Sequence, residues 1–200
     1  MARLSSDKQP VPYLRDYNKV RNMVFDGKVF GVTNVTIGTG ITGQTGTTYT
    51  SATSTFSFRN AGSKVLVPVL GILTQTGTVA DIRITVHVST TETSLFSSGT
   101  ALTAYNRNQN SGAQPTVLPF HTVTHTSAAN PDTSLNRKLR HSLSIFQTVT
   151  ADNPGNGPVS IFPYPGFTMV RPGGTLDVYS LGSSSAPTWF FDIQWAELDI

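Results

Sequence analysis

Apolar and polar residues alternate along most of this chain with the period of two that marks a half-buried β-strand. The cleanest case is Asp81–Val88, where Ile82, Ile84, Val86 and Val88 fall on one face and Asp81, Arg83, Thr85 and His87 on the other. The C-terminal segment repeats the pattern. Trp189, Phe191, Ile193 and Trp195 share one parity and are the expected core, whereas Asp192, Gln194 and Ala196 share the other. Phe56 and Phe58 set a buried face for Ser54–Arg59, and Val29–Ile37 and Leu139–Thr150 are further strand candidates. Lys64–Thr74 is different because its run Val-Leu-Val-Pro-Val-Leu-Gly-Ile-Leu is apolar at both parities. Such a run predicts a strand covered on both sides, and Pro68 within it predicts an edge or a bulge.

Turn chemistry separates these segments. A Gly/Thr loop begins at Gly38, and polar loops cover 105–118 and roughly 126–137. Asp152-Asn-Pro-Gly-Asn-Gly-Pro158 and Arg171-Pro-Gly-Gly174 are dense turn signals. About eight or nine strands at this spacing predict an all-β fold: a single antiparallel β-sandwich, jelly-roll-like, over 28–200. No fixed period appears, which excludes a solenoid.

Residues 1–27 lack the alternation and read as an extended N-terminal arm. Tyr13–Phe25 has the residues for one or two helical turns, but a helix of that length is marginal in water by itself. Tyr13, Leu14, Tyr17, Val20, Met23 and Phe25, with Val24, read as anchors without a home in their own subunit. Together with Arg15 and Arg21 they form the expected partner-binding set. Fully extended, the arm reaches roughly 90 Å, enough to cross a neighbouring subunit.

Charge sharpens this division. The net charge of +3 is carried entirely by residues 1–28, which hold Arg3, Lys8, Arg15, Lys19, Arg21 and Lys28 against Asp7, Asp16 and Asp26. The body is neutral. Only 12% of residues are charged and 38% are hydrophobic, so polarity comes from Thr, Ser, Asn and Gly, which suit strand faces and turns. Cysteine is absent, which removes disulfides, thiolate chemistry and the common structural zinc sites. The opening Met1-Ala-Arg-Leu-Ser-Ser-Asp7 lacks the apolar core of a secretory signal, and no apolar run is long enough to span a bilayer; a soluble chain without membrane contact is expected.

Candidate chemistry is sparse. His121 and His125 on one strand face would stand about 13–14 Å apart, too far to share a metal. The only glutamates, Glu92 and Glu197, are remote in sequence and show no sign of forming a glycosidase pair. No Gly-x-Ser-x-Gly elbow supports an esterase, and the Gly-rich stretch 38–46 lacks the lysine of a phosphate loop. Phe190 and Tyr179 on outer faces suit either a sugar platform or an interface. The basic arm is compatible with nucleic acid but carries interleaved acidic and apolar residues that favour protein. No catalytic residue, metal or cofactor is expected, and the expected role is assembly.

The body and the hairpin Arg171-Pro-Gly-Gly-Thr-Leu-Asp-Val-Tyr-Ser … Trp-Phe-Phe-Asp-Ile-Gln-Trp-Ala-Glu197 resemble small virion proteins of tailed bacteriophages. The architectural likeness covers about 28–200 and the motif likeness about 167–198. It implies a capsid decoration (cement) or head-fibre protein, often trimeric, that binds the major capsid protein or other virion proteins. Such a chain is assembled in the host cytoplasm and resides in the virion. Two other readings stay open: a jelly-roll coat protein of a small icosahedral virus with its arm on nucleic acid, and a carbohydrate- or receptor-binding virion module using aromatics near the 105–118 and 126–137 loops.

Overall fold

The computed structural model describes residues 12–34, 36, 39–46, 50, 52–76, 82–89, 96–125, 137–145, 159–162 and 168–199, with 12–17 and 137–145 described in backbone only. One helix, α1 (Pro12–Phe25), precedes the strands β1 (Val29–Thr33), β2 (Ile41–Thr42), β3 (Gln44–Thr45), β4 (Thr53–Asn60), β5 (Val65–Thr76) and β6 (Ile82–Ser89). These are followed by β7 (Phe96–Ala101), β8 (Tyr105–Asn106), β9 (Val117–His125), β10 (Arg137–Ile145), β11 (Val159–Ser160), β12 (Thr175–Gly182) and β13 (Thr188–Leu198).

The strand pairings are nested. β1 pairs with β13, β4 with β12, β5 with β11 and β6 with β10, all antiparallel. A chain paired in this way is one long hairpin wound into two sheets, which is a jelly roll. The six-stranded sheet runs β11-β5-β13-β1-β8 with β2 attached to β13. The seven-stranded sheet runs β10-β6-β12-β4-β9-β7 with β3 attached, in parallel, to β12. The segment between β6 and β10 adds β8 to the free edge of β1 and β9 to the free edge of β4, so both sheets are extended on the same side. The edges of β1 and β4 are thereby paired, and the sheet margins on that side pass to the two-residue β8 and to β7.

The expected core forms between the sheets. Phe56, Phe58, Ile82, Ile84, Val86, Val88, Trp189, Phe191, Ile193 and Trp195 are all buried there. Phe56 meets Phe191 at 4.8 Å between ring centroids, and Phe58 meets Trp195 edge-on at 5.5 Å. The indole nitrogens are satisfied as well: Trp189 donates to Ser180 Oγ and Trp195 to Glu197 Oε1. Pro68 sits where the β5–β13 register slips, Gln194 pairing with Leu70 and Trp195 with Pro68. One residue, Val69, is extra there, the bulge that tolerates a missing N–H.

Four expectations need correction. The strand beginning at Val29 ends at Thr33, because Asn34 turns its side chain into the ladder: its Oδ1 accepts from Phe191 N at 2.7 Å and its Nδ2 donates to Thr39 O at 2.9 Å. β6 is not half-buried, since Thr85, His87 and Ser89 are as enclosed as the apolar face. Tyr179 is buried too, its ring perpendicular to that of His87 with centroids 5.2 Å apart, so it offers no outer platform. The helical stretch is not one or two turns but 14 residues, about four turns, starting with Pro12 at a position where its missing N–H costs nothing.

Candidate functional site

The C-terminal end of α1 is fastened to the body. Gly27, with φ +68°, follows the helix, and Gly27 N donates to Val24 O while Lys28 N donates to Met23 O, the paired bonds of a Schellman cap. The polar 105–118 loop supplies the remaining ties. Asn108 Nδ2 donates to Phe25 O, a helix-end carbonyl that lacks an intrahelical partner, and Asn106 Nδ2 to the cap residue's Gly27 O, both at 2.9 Å. A Cβ on Gly27 would stand 2.2 Å from Ser111 Oγ, so glycine is required twice over. Met23 and Val24 rest on a second apolar cluster of Val29, Val65, Val67 and Ala196, on the outer face of the six-stranded sheet.

The arm residues therefore separate. Met23 and Val24 do have a home in their own subunit, contrary to the sequence reading; the cap aims that side of the helix at the sheet. Phe25 does not: 64% of it is exposed, with the Arg21 guanidinium 5.3 Å from its ring centroid. Val20 is half-buried and Arg21 exposed, while the side chains of Tyr13, Leu14, Arg15 and Tyr17 lie outside the described residues. Asn106, Asn108 and Gly27 were not singled out by sequence reading. The signal for them was Asn at alternate positions, where Asn108 N donates to Asn106 Oδ1 and Asn110 N to Asn108 Oδ1 in successive side-chain turns.

Two buried polar clusters, one between the sheets and one on the outer side of the seven-stranded sheet, are consumed by structure. Glu197, 1% exposed, accepts from Thr116 N, Thr116 Oγ1, Val117 N and Trp195 Nε1, and so ties the inserted segment to β13. Glu92 lies outside the described residues. In the second cluster, Ser54 Oγ lies 3.2 Å from His125 Nε2 and Asp177 Oδ1 lies 3.7 Å from the same nitrogen. A nucleophilic triad needs serine and carboxylate on opposite ring nitrogens, whereas both here lie at Nε2.

The second histidine of the pair stands apart from this cluster. His121 Nδ1 is 2.9 Å from Thr122 Oγ1, and partial burial lowers the imidazole pKa from its ordinary 6.5. Thr122 has φ +50° where β9 slips against β7, a conformation that costs a β-branched residue about 1–2 kcal/mol. Among the described residues no three His, Cys, Asp or Glu side chains form a metal-binding group, and no helix is long and apolar enough to cross a membrane.

The outer face of the six-stranded sheet is covered by α1 at one end only. Toward the start of β13 it opens into a cleft of about 380 Å³ lined by Thr33, Asn34, Ile72, Thr74, Phe190 and Asp192, among others. Asp192 lies between Ile72 of β5 and Thr33 of β1, with Phe190 beside Thr74. Gln194 Nε2 holds both Asp192 oxygens, at 3.1 and 3.0 Å. A smaller pocket of about 120 Å³, lined by Gln44, Ser54, Thr55, Thr122 and neighbours, adjoins the β9 irregularity.

Comparison of the chain with protein-family models, with curated proteins and with solved structures finds no match.

Proposed function

We propose that the protein is a structural subunit of a virus particle, a decoration or cement protein that grips the major capsid protein, or another virion protein, through its N-terminal helix. The body would self-associate, with a trimer favoured. The observation that carries this reading is Phe25. A large aromatic side chain left mostly exposed, with an arginine over its ring, on a helix locked at its C-terminal end is the composition and rigidity of a protein-docking anchor. The absence of cysteine suits a shell component, although jelly rolls also serve as lectin and enzyme scaffolds, so fold alone does not select the role.

The test is made on virus particles purified by density gradient from cells that produce the protein. The full chain is expected in those particles at constant copy number per capsid, and a Phe25→Ala chain, which leaves Met23 and Val24 on the sheet, is expected to fold yet be largely lost from them. Absence of the full chain from particles, or full incorporation of the Phe25→Ala chain, overturns the proposal. An arm that instead binds nucleic acid with steep salt dependence would favour the coat-protein reading.

A further inference from the structure

We infer that the cleft over β1, β5 and β13 is a binding site for a neutral sugar ring, a function separate from helix-mediated docking. Its floor is rigid, because every lining strand residue is held in the β-ladder of the six-stranded sheet. At about 380 Å³ it falls at the low end of the roughly 300–1,000 Å³ typical of ligand sites, the size for one small ring.

The lining chemistry narrows the ligand. Phe190 supplies an aromatic surface of the kind that packs against an apolar C–H face. Beside it, two residues along the same strand, Asp192 presents a carboxylate with four lone-pair sites, of which Gln194 engages one on each oxygen. The remaining sites accept from a pair of neighbouring hydroxyls. Thr33, Thr36 and Thr74 add hydroxyls to the rim, and Thr33, which donates to Phe191 O, keeps its acceptor capacity. Asn34, held in place by its bonds to Phe191 N and Thr39 O, keeps one N–H and one lone pair for a ligand. A ligand with adjacent hydroxyl donors on one edge and C–H groups on one face is a pyranose.

Charge excludes the nearest competitors. Among the described residues no lysine, arginine or histidine lines the cleft, so an acidic sugar or a phosphate would meet a carboxylate with no cation beside it. A guanine base also offers two donors and a stacking face, but in a nucleic acid it brings phosphates that this lining repels.

The experiment is saturation-transfer NMR and titration of the full chain with the methyl glycosides of glucose, galactose, mannose and N-acetylglucosamine, with sialic acid and guanosine monophosphate in parallel. Saturable binding of at least one neutral glycoside is expected. Asp192→Asn, nearly isosteric, and Phe190→Ala are each expected to weaken it at least about fivefold, while Leu118→Ser on the other sheet leaves it unchanged. No binding by any of the four, equal binding by sialic acid, binding by guanosine monophosphate alone, or binding that survives both cleft substitutions overturns the inference. Absence of sugar binding by the unsubstituted chain together with its normal incorporation into particles would sink this site and leave the docking reading intact.

Discussion

Strand β13 runs the length of the six-stranded sheet, and its two ends have opposite fates. At the C-terminal end Ala196 lies under α1, and Glu197, on the inner side, is used up by four donor atoms. At the N-terminal end Phe190 and Asp192 face an open cleft, and the only hydrogen bonds described for the Asp192 carboxylate come from Gln194, two residues along its own strand. Two carboxylates five residues apart thus differ completely in availability. A charged group is costly to bury unless its hydrogen-bonding capacity is met from the protein, so Glu197 is architecture, while a half-exposed carboxylate beside an aromatic ring remains free to engage a ligand.

The largest test of this contrast is Glu197→Ala. It strands buried backbone donors of Thr116 and Val117 and the Trp195 indole, and is expected to lower unfolding stability by about 4 kcal/mol in urea titration. A loss under about 1 kcal/mol would mean that water replaces the carboxylate and that this end is not closed. Next in size, Met23→Ser removes a half-buried side chain from the cluster under α1. The expected cost is about 1.5 kcal/mol, with faster hydrogen exchange in the last helical turn. An unchanged exchange rate would show that the Gly27 cap and the two asparagines hold the helix without packing. Smallest of all, Asp192→Asn is expected to shift stability by no more than about 0.5 kcal/mol. A larger loss in thermal or urea unfolding would make Asp192 structural, and the two ends of β13 would then be alike.

Much of the fold was legible because it rests on local period. The parity of Phe56 and Phe58, of Ile82 through Val88 and of Trp189 through Trp195 named the inner faces correctly, and the bulge at Pro68 follows from its missing N–H. The candidate site was less legible. Alternation separates two faces of a strand but does not say whether the outer one meets solvent: Thr85, His87 and Tyr179 carry the polarity or position of outer residues and are nonetheless enclosed. The length of α1 was underestimated for a related reason, since an isolated helix is marginal and this one gains its cap and apolar seat from the distant 105–118 loop and from β1, β5 and β13.

By itself, then, the order of residues determined the central strands, their inward faces, the division between basic arm and neutral body, and the absence of thiol chemistry, since all of these depend on nearest neighbours and composition; the short strands β2, β3 and β8 and the added β7 were not legible in it. Tertiary structure alone decided which outer face is covered, that Met23 packs at home while Phe25 is left out, and that Asp192 rather than Glu197 keeps an accessible carboxylate. Those outcomes depend on winding the chain into nested pairs, which brings together residues separated by 167 positions, as Val29 and Ala196 are, at a register that no local pattern encodes.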